Sequence, residues 1–163
     1  MAELRIERVG FGHPDALRLI EAVQEEYVVR YGGRDETPLE PLMFEPPAGS
    51  FFVGYLADEP VASGAWRRRG DVEACGTVDT AEVKRMYVVP SARGRGLARA
   101  VLAHLEQTAG EAGARAMVLE TGTAQPEAIA LYESSGYTRI PNFGHYAWSP
   151  DNRCFARSLA PNC

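Results

Sequence analysis

The run Arg93-Gly94-Arg95-Gly96-Leu97-Ala98 carries the strongest chemical signal in the sequence. It follows an apolar segment closed by Pro90. It opens a segment whose apolar residues Leu97, Val101, Leu105 and Ala109 recur every fourth position, the mark of a helix. The first amides of a helix have no internal acceptor, glycine lets a ligand approach them, and the helix dipole favours negative charge there. Arg93, Arg95 and Arg99 add positive charge at the same turn. Together these features suit a pyrophosphate. The phosphate-loop string G-x-x-x-x-G-K-[ST] is absent. The dinucleotide pattern G-x-G-x-x-G/A fails from Gly94, because position 99 is Arg, and it belongs after a first strand rather than a fourth. The pattern Q/R-x-x-G-x-G/A is matched in full by Arg93, Gly96 and Ala98. The plain alternative is a helix start whose glycines serve only tight packing.

The elements that must position this turn are legible from periodicity. Leu4 to Val9 alternates apolar and polar residues as a half-buried strand does. Pro14 opens a helix in which Leu17, Ile20, Val23, Tyr27 and Val28 recur at spacings of three and four; it runs to about Tyr31, before Gly32-Gly33. Prolines 38, 41, 46 and 47 mark a loop. Phe51–Ala57 and Val61–Arg69 predict a hairpin around Asp58-Glu59-Pro60, and Ala81–Val89 a further strand. After the Leu97 helix come a short buried strand, Ala116–Leu119, and a helix opened by Pro126 and ended by Gly136. Tyr137–Ile140 and Cys154–Leu159 read as two final strands. The order β-α-loop-β-β-β-α-β-α-β-β predicts one α/β domain over residues 1–163, a mixed sheet with helices packed on it.

At this point the sequence resembles the GNAT superfamily of acetyl-CoA-dependent N-acetyltransferases. Ala81-Glu82-Val83-Lys84-Arg85-Met86-Tyr87-Val88 is similar to the family's fourth strand, and Arg93 to Ala98 to its pyrophosphate loop. The segment Gln125 to Tyr137 is similar to its N-x-x-A-x-x-L-Y-x-x-x-G-F/Y block, with Gln125 where Asn is frequent. The resemblance implies a mostly antiparallel sheet whose fourth and fifth strands splay apart, with helices on both faces. It implies that acetyl-CoA is the co-substrate. Its pyrophosphate would rest on the amides of Arg93, Gly94, Arg95, Gly96, Leu97, Ala98 and Arg99. Its pantetheine arm would pair with the backbone of Met86, Tyr87 and Val88 and meet Gln125, whose amide is one methylene longer than that of Asn. Tyr132 would protonate the departing thiolate; otherwise it is a packed aromatic.

Amide formation needs a neutral amine, and only about one alkylammonium in a thousand is neutral at pH 7. A general base removes that penalty. Glu82 lies eleven residues before Arg93, where several protein-lysine acetyltransferases of the superfamily carry a catalytic glutamate, so the resemblance points to Glu82. Glu120, at the end of the fifth strand, is the rival. His145 and Tyr146 fall in a late loop that could line an acceptor pocket, although a surface position suits His145 better. Glu21, Glu25, Glu26, Asp35, Glu36, Glu40 and Glu45 outnumber Arg30 and Arg34 between residues 21 and 45, which predicts either an approach for cationic amines or a solvated face.

The balance of 17 basic against 22 acidic residues, a net charge of −5, is the reverse of a general nucleic-acid binder's. Arg67-Arg68-Arg69 with Lys84 and Arg85 is the one basic strip that could argue otherwise. No apolar run approaches the roughly 18 residues of a membrane span, and the segment beginning Met1-Ala2-Glu3 lacks a secretory pattern. Cys75, Cys154 and Cys163 are scattered and read as thiols of a reducing cytoplasm. None lies in the matched blocks, so direct transfer in a ternary complex with a primary amine is expected, rather than an acyl-enzyme. A silent acyl-CoA sensor is the other function these blocks allow. Homodimers are common in the family, and the sequence is neutral on that point.

Overall fold

A computed structural model describes residues 3–159. Met1, Ala2 and Cys163 lie outside them. The elements are β1 (Leu4–Val9), α1 (Pro14–Tyr31), β2 (Gly49–Leu56), β3 (Glu59–Arg68), β4 (Thr80–Val88), α2 (Leu97–Glu111), β5 (Ala116–Gly122), α3 (Pro126–Ser134), β6 (Thr138–Ile140) and β7 (Asn152–Ser158), with short 3-10 turns at Pro41–Phe44 and Pro90–Ala92. The order matches the one read from the sequence.

These strands form one sheet in the order β1-β2-β3-β4-β5-β7-β6. Every neighbouring pair is antiparallel except β4 and β5. Strand alternation sends successive side chains to opposite faces. Phe51, Val53, Tyr55 and Ala65 pack with Ala16 and Leu19 of α1 on one face. Phe52, Trp66, Ala81, Val83, Met117 and Leu119 pack with Val101, Leu102 and Leu105 of α2 on the other. The sheet is therefore buried on both sides, and its centre is rigid enough to hold a site.

Two local features shape that centre. The β4–β5 ladder pairs only Thr80–Glu82 with Ala116–Val118, after which the strands diverge. β4 also bulges against β3 between Ser63 and Ala65. Arg85 takes the left-handed conformation there (φ 54°), and the Ser63 hydroxyl donates to its carbonyl at 2.7 Å. The bulge breaks the run of buried positions, and Met86, Tyr87 and Val88 are only partly covered. Opposite it, Gly64 has no Cβ because α2 sits too close: one would lie 2.7 Å from Val101 Cγ1.

Candidate active site

The gap between β4 and β5 is a cleft of about 470 Å³. Its floor is Val83 to Val88, one end is the turn before α2, and its far wall is Gln125, Leu131 and Tyr132 of the α3 segment. Gly94 and Gly96 both have positive φ, 80° and 76°, and a Cβ at either would meet nothing within 4 Å. No side chain caps the first turn of α2 among the described residues. Its leading amides thus face an open concavity, which fits a diphosphate.

The arginines of this turn are arranged differently from the sequence expectation. Arg93 turns back onto the strand: its Nε donates to the Val88 carbonyl at 2.9 Å and its Nη2 reaches Glu26 at 3.1 Å. Arg99 donates to the hydroxyls of Ser134 and Ser135, tying α2 to α3. Both therefore brace the walls, and the main chain supplies most of the cradle. Valine at position 96 would carry the strain of a left-handed β-branched residue. It would also put its side chain into the concavity. Gly96→Val is expected to weaken coenzyme A binding by about tenfold or more, equivalent to about 1.4 kcal/mol. Calorimetry would show that loss, with little change for pantetheine, which lacks the diphosphate.

Tyr132 is 6% exposed and its ring packs edge-on to Tyr137. Among the described residues nothing hydrogen-bonds its hydroxyl, which belongs to a side chain lining the cleft. Burial, with a smaller contribution from Tyr27, pushes its pKa well above that of an ordinary phenol. It therefore keeps its proton as a hydrogen-bond donor. Gln125 accepts from Tyr31 (3.2 Å) and Thr121 (3.3 Å) through Oε1. That leaves its amide nitrogen as the group able to reach a ligand carbonyl in the cleft.

Glu82, expected as the base, is placed otherwise. Its carboxylate is 1% exposed and lies 3.0 Å from Arg67 Nε, 2.6 Å from Arg69 Nη1 and 3.1 Å from Lys84 Nζ. Burial opposes its charge, but Lys84, Arg67 and Arg69 together outweigh burial and hold its pKa below the ordinary value. A carboxylate so held is a poor proton acceptor, and it is not among the residues lining the cleft. The same contacts absorb the basic strip: Arg67, Arg69 and Lys84 point inward at Glu82, and Arg85 pairs with Asp35 at 2.7 Å.

Glu120 has the opposite environment. It lines both the cleft and a second pocket of about 310 Å³. Lys84 Nζ approaches Oε1 at 3.4 Å and Asn152 Nδ2 donates to Oε2 at 3.3 Å. Burial pushes its pKa up; Lys84 counters this, and Glu82 adds to the rise. Tyr27, Asp35, Thr121 and Gln125 also border both cavities, so the two meet at Glu120. Tyr146 lines the second pocket, and its hydroxyl accepts from the Glu36 amide at 2.7 Å. His145 stacks edge-on to Tyr146 at the surface, outside that lining. Of the seven acidic residues between 21 and 45, only Asp35 reaches the second pocket; Glu26 lines the cleft and Glu21 is taken by Arg34.

Sequence reasoning missed Lys84, Asn152, Asp151, Trp148, Tyr27 and Tyr31. A signal existed for Lys84. Thr80, Glu82 and Lys84 alternate with Ala81 and Val83, which puts three polar side chains on one face of a central strand.

A central sheet splayed between a parallel strand pair, with an amide cradle at the helix that follows, defines an acyl-CoA-handling fold. The chain belongs to the acetyltransferase (GNAT) family, which it matches over residues 18–137. Members of this family use acetyl-CoA as co-substrate, and the chain is accordingly an acyltransferase. It is 43% identical over 90 residues to an IAA acetyltransferase of Azospirillum brasilense, covering 52% of this chain and 59% of that protein. An uncharacterized N-acetyltransferase of Escherichia coli is 29% identical over 134 residues, 78% of this chain and 77% of that one. A crystal structure assigned as an acyl-CoA N-acyltransferase from Klebsiella pneumoniae superposes with a TM-score of 0.79 at 25% identity, over 98% of this chain and 100% of that one. A GNAT acetyltransferase from Elizabethkingia anophelis, solved with acetyl-CoA bound, shares the fold at a TM-score of 0.65 and 13% identity, over 95% and 97%. No helix among the described residues is long and apolar enough to cross a membrane.

Proposed function

We propose that the chain transfers the acetyl group of acetyl-CoA directly to a primary amine, with Glu120 as the general base and Tyr132 as the donor to the leaving sulfur. The observation that carries this reading is that, of the two carboxylates bordering both cavities, Asp35 is paired with Arg85 at 2.7 Å while burial pushes the pKa of Glu120 up. The cleft suits the coenzyme, the second pocket suits the amine, and Glu120 borders both.

The thioester supplies an activated acyl carbon. The residues do the rest. The amides of Arg93 to Arg99 hold the diphosphate, and the exposed edge at Met86, Tyr87 and Val88 aligns the pantetheine arm beside Gln125. Glu120 accepts the proton of the incoming ammonium, and its raised pKa suits that task near neutral pH better than an ordinary carboxylate would. The neutral amine forms the C–N bond to the acyl carbon as the C–S bond breaks; the second proton of its nitrogen passes to the departing sulfur, so amide and thiol leave, and the proton on Glu120 returns to solvent. The Tyr132 hydroxyl donates a hydrogen bond to the sulfur as charge develops there.

Thiol release from acetyl-CoA across amines, amino acids, polyamines, aminoglycosides and lysine peptides tests the reaction. Tyr132→Phe tests the assignment and separates an enzyme from a silent sensor. It is expected to lower kcat by about 10²-fold, the lower end of acid–base contributions, with the dissociation constant for coenzyme A unchanged. A wild-type protein that binds coenzyme A and releases no thiol with any amine would refute the reading.

A further inference from the structure

We infer that the second pocket selects an organic cation without a carboxylate, a short diamine, with the reacting amine at Glu120 and the far ammonium at Asp151. This rests on the acetyltransferase reading above. At about 310 Å³ the pocket is small, near the lower end for ligand sites. Its walls include the rings of Tyr27, Tyr31, Tyr146 and Trp148. Aromatic faces attract ammonium groups, most strongly where water is excluded. Three carboxylates, those of Asp35, Glu120 and Asp151, complete the lining.

The cations are already committed. Among the described residues that line the pocket, the only one is Arg34, and both its terminal nitrogens lie 2.8 Å from the Glu21 carboxylate. Asp35 is held by Arg85 at 2.7 Å and Glu120 by Lys84 and Asn152. Among the described residues the Asp151 carboxylate, in contrast, receives only the Thr123 hydroxyl, at 3.3 Å. An amino acid would bring its own carboxylate against three others. A second ammonium would instead meet the least engaged of them.

The spacing agrees. Glu120 pairs with Cys154 and Gly122 with Asn152, so Asp151 lies beside Thr123, whose amide donates to its carbonyl. Three residue levels at roughly 3.3 Å place the backbone of the two positions about 10 Å apart along the sheet, a separation that a short methylene chain with an ammonium at each end can bridge through the two side chains.

Matched sets test this on the full chain with acetyl-CoA: putrescine against ornithine and butylamine, and cadaverine against lysine and pentylamine. The expected result is a kcat/KM for each diamine about tenfold or more above both its amino acid and its monoamine. In Asp151→Asn the ratio of diamine to monoamine should fall towards one, with an unchanged melting temperature. Amino acids turned over as well as the diamines would overturn the inference while the acetyltransferase reading stands. A diamine advantage that survives in Asp151→Asn would also overturn it. Turnover of no amine at all would defeat both readings.

Discussion

Glu120→Gln is expected to lower kcat/KM at pH 7 by about 10²–10⁴-fold, the range typical of a lost general base, while coenzyme A still binds. The pH profile gives the sharper test. In the wild type, kcat/KM should rise through the pKa of Glu120, which lies above the usual 4.5. In Glu120→Gln that limb disappears, and activity climbs only with deprotonation of the amine itself, near pH 10. The neighbours set the sign of two further shifts. Lys84 favours the charged carboxylate, so Lys84→Met moves the limb to higher pH. Glu82 disfavours it, so neutralising Glu82 moves the limb to lower pH. A Glu120→Gln protein with wild-type rate and an intact limb would place the base elsewhere.

Glu82→Gln should instead be a stability mutant. It removes the carboxylate that Arg67, Arg69 and Lys84 surround. Breaking one member of a buried ion network costs about 3–5 kcal/mol, because the remaining charges lose their compensation. For a chain of this size that corresponds to a fall in melting temperature of roughly 10 °C. Acid denaturation supplies the sign. The folded pKa of Glu82 is depressed, so its contribution is present above the unfolded value of 4.5 and is lost as pH falls through the folded value. The variant should therefore show a weaker dependence of stability on pH below about 4.5. Measured on folded protein at low temperature, it should keep the activity limb, displaced to lower pH. Loss of that limb with stability intact would restore Glu82 as the base.

These two glutamates show where reading the sequence stops. Both sit in strands, both have apolar neighbours, and family position favours Glu82. Their ionisation is decided by groups far along the chain. Arg67 comes from β3 and faces Glu82 across the ladder, and Arg69 follows directly after that strand's end. Asn152 comes from the start of β7 and reaches Glu120. Lys84, two residues from Glu82 on β4, is the local contributor, and these other partners cannot be read from the neighbourhood of either glutamate. The arginine run at 67–69 makes the same point: at the end of a strand it reads as solvated, yet two of its members close a buried network and the third donates to the carbonyls of Pro47 and Ala112.

The amino-acid order alone was sufficient for what depends on neighbours in sequence. Apolar periodicity located the strands and helices. The glycines and the helix start at Arg93 to Ala98 marked the proposed cradle. These features follow from local backbone preference and side-chain alternation, which act over a few residues, whereas Tyr132 as donor rests on the family resemblance of the segment Gln125 to Tyr137. Only the folded chain shows which carboxylate is buried among cations and which lines the second pocket. That pocket is assembled from the end of α1 and the loop after it, the end of β5, and the segment before β7. Charge and shape there depend on distances through space, between residues more than a hundred positions apart in the chain.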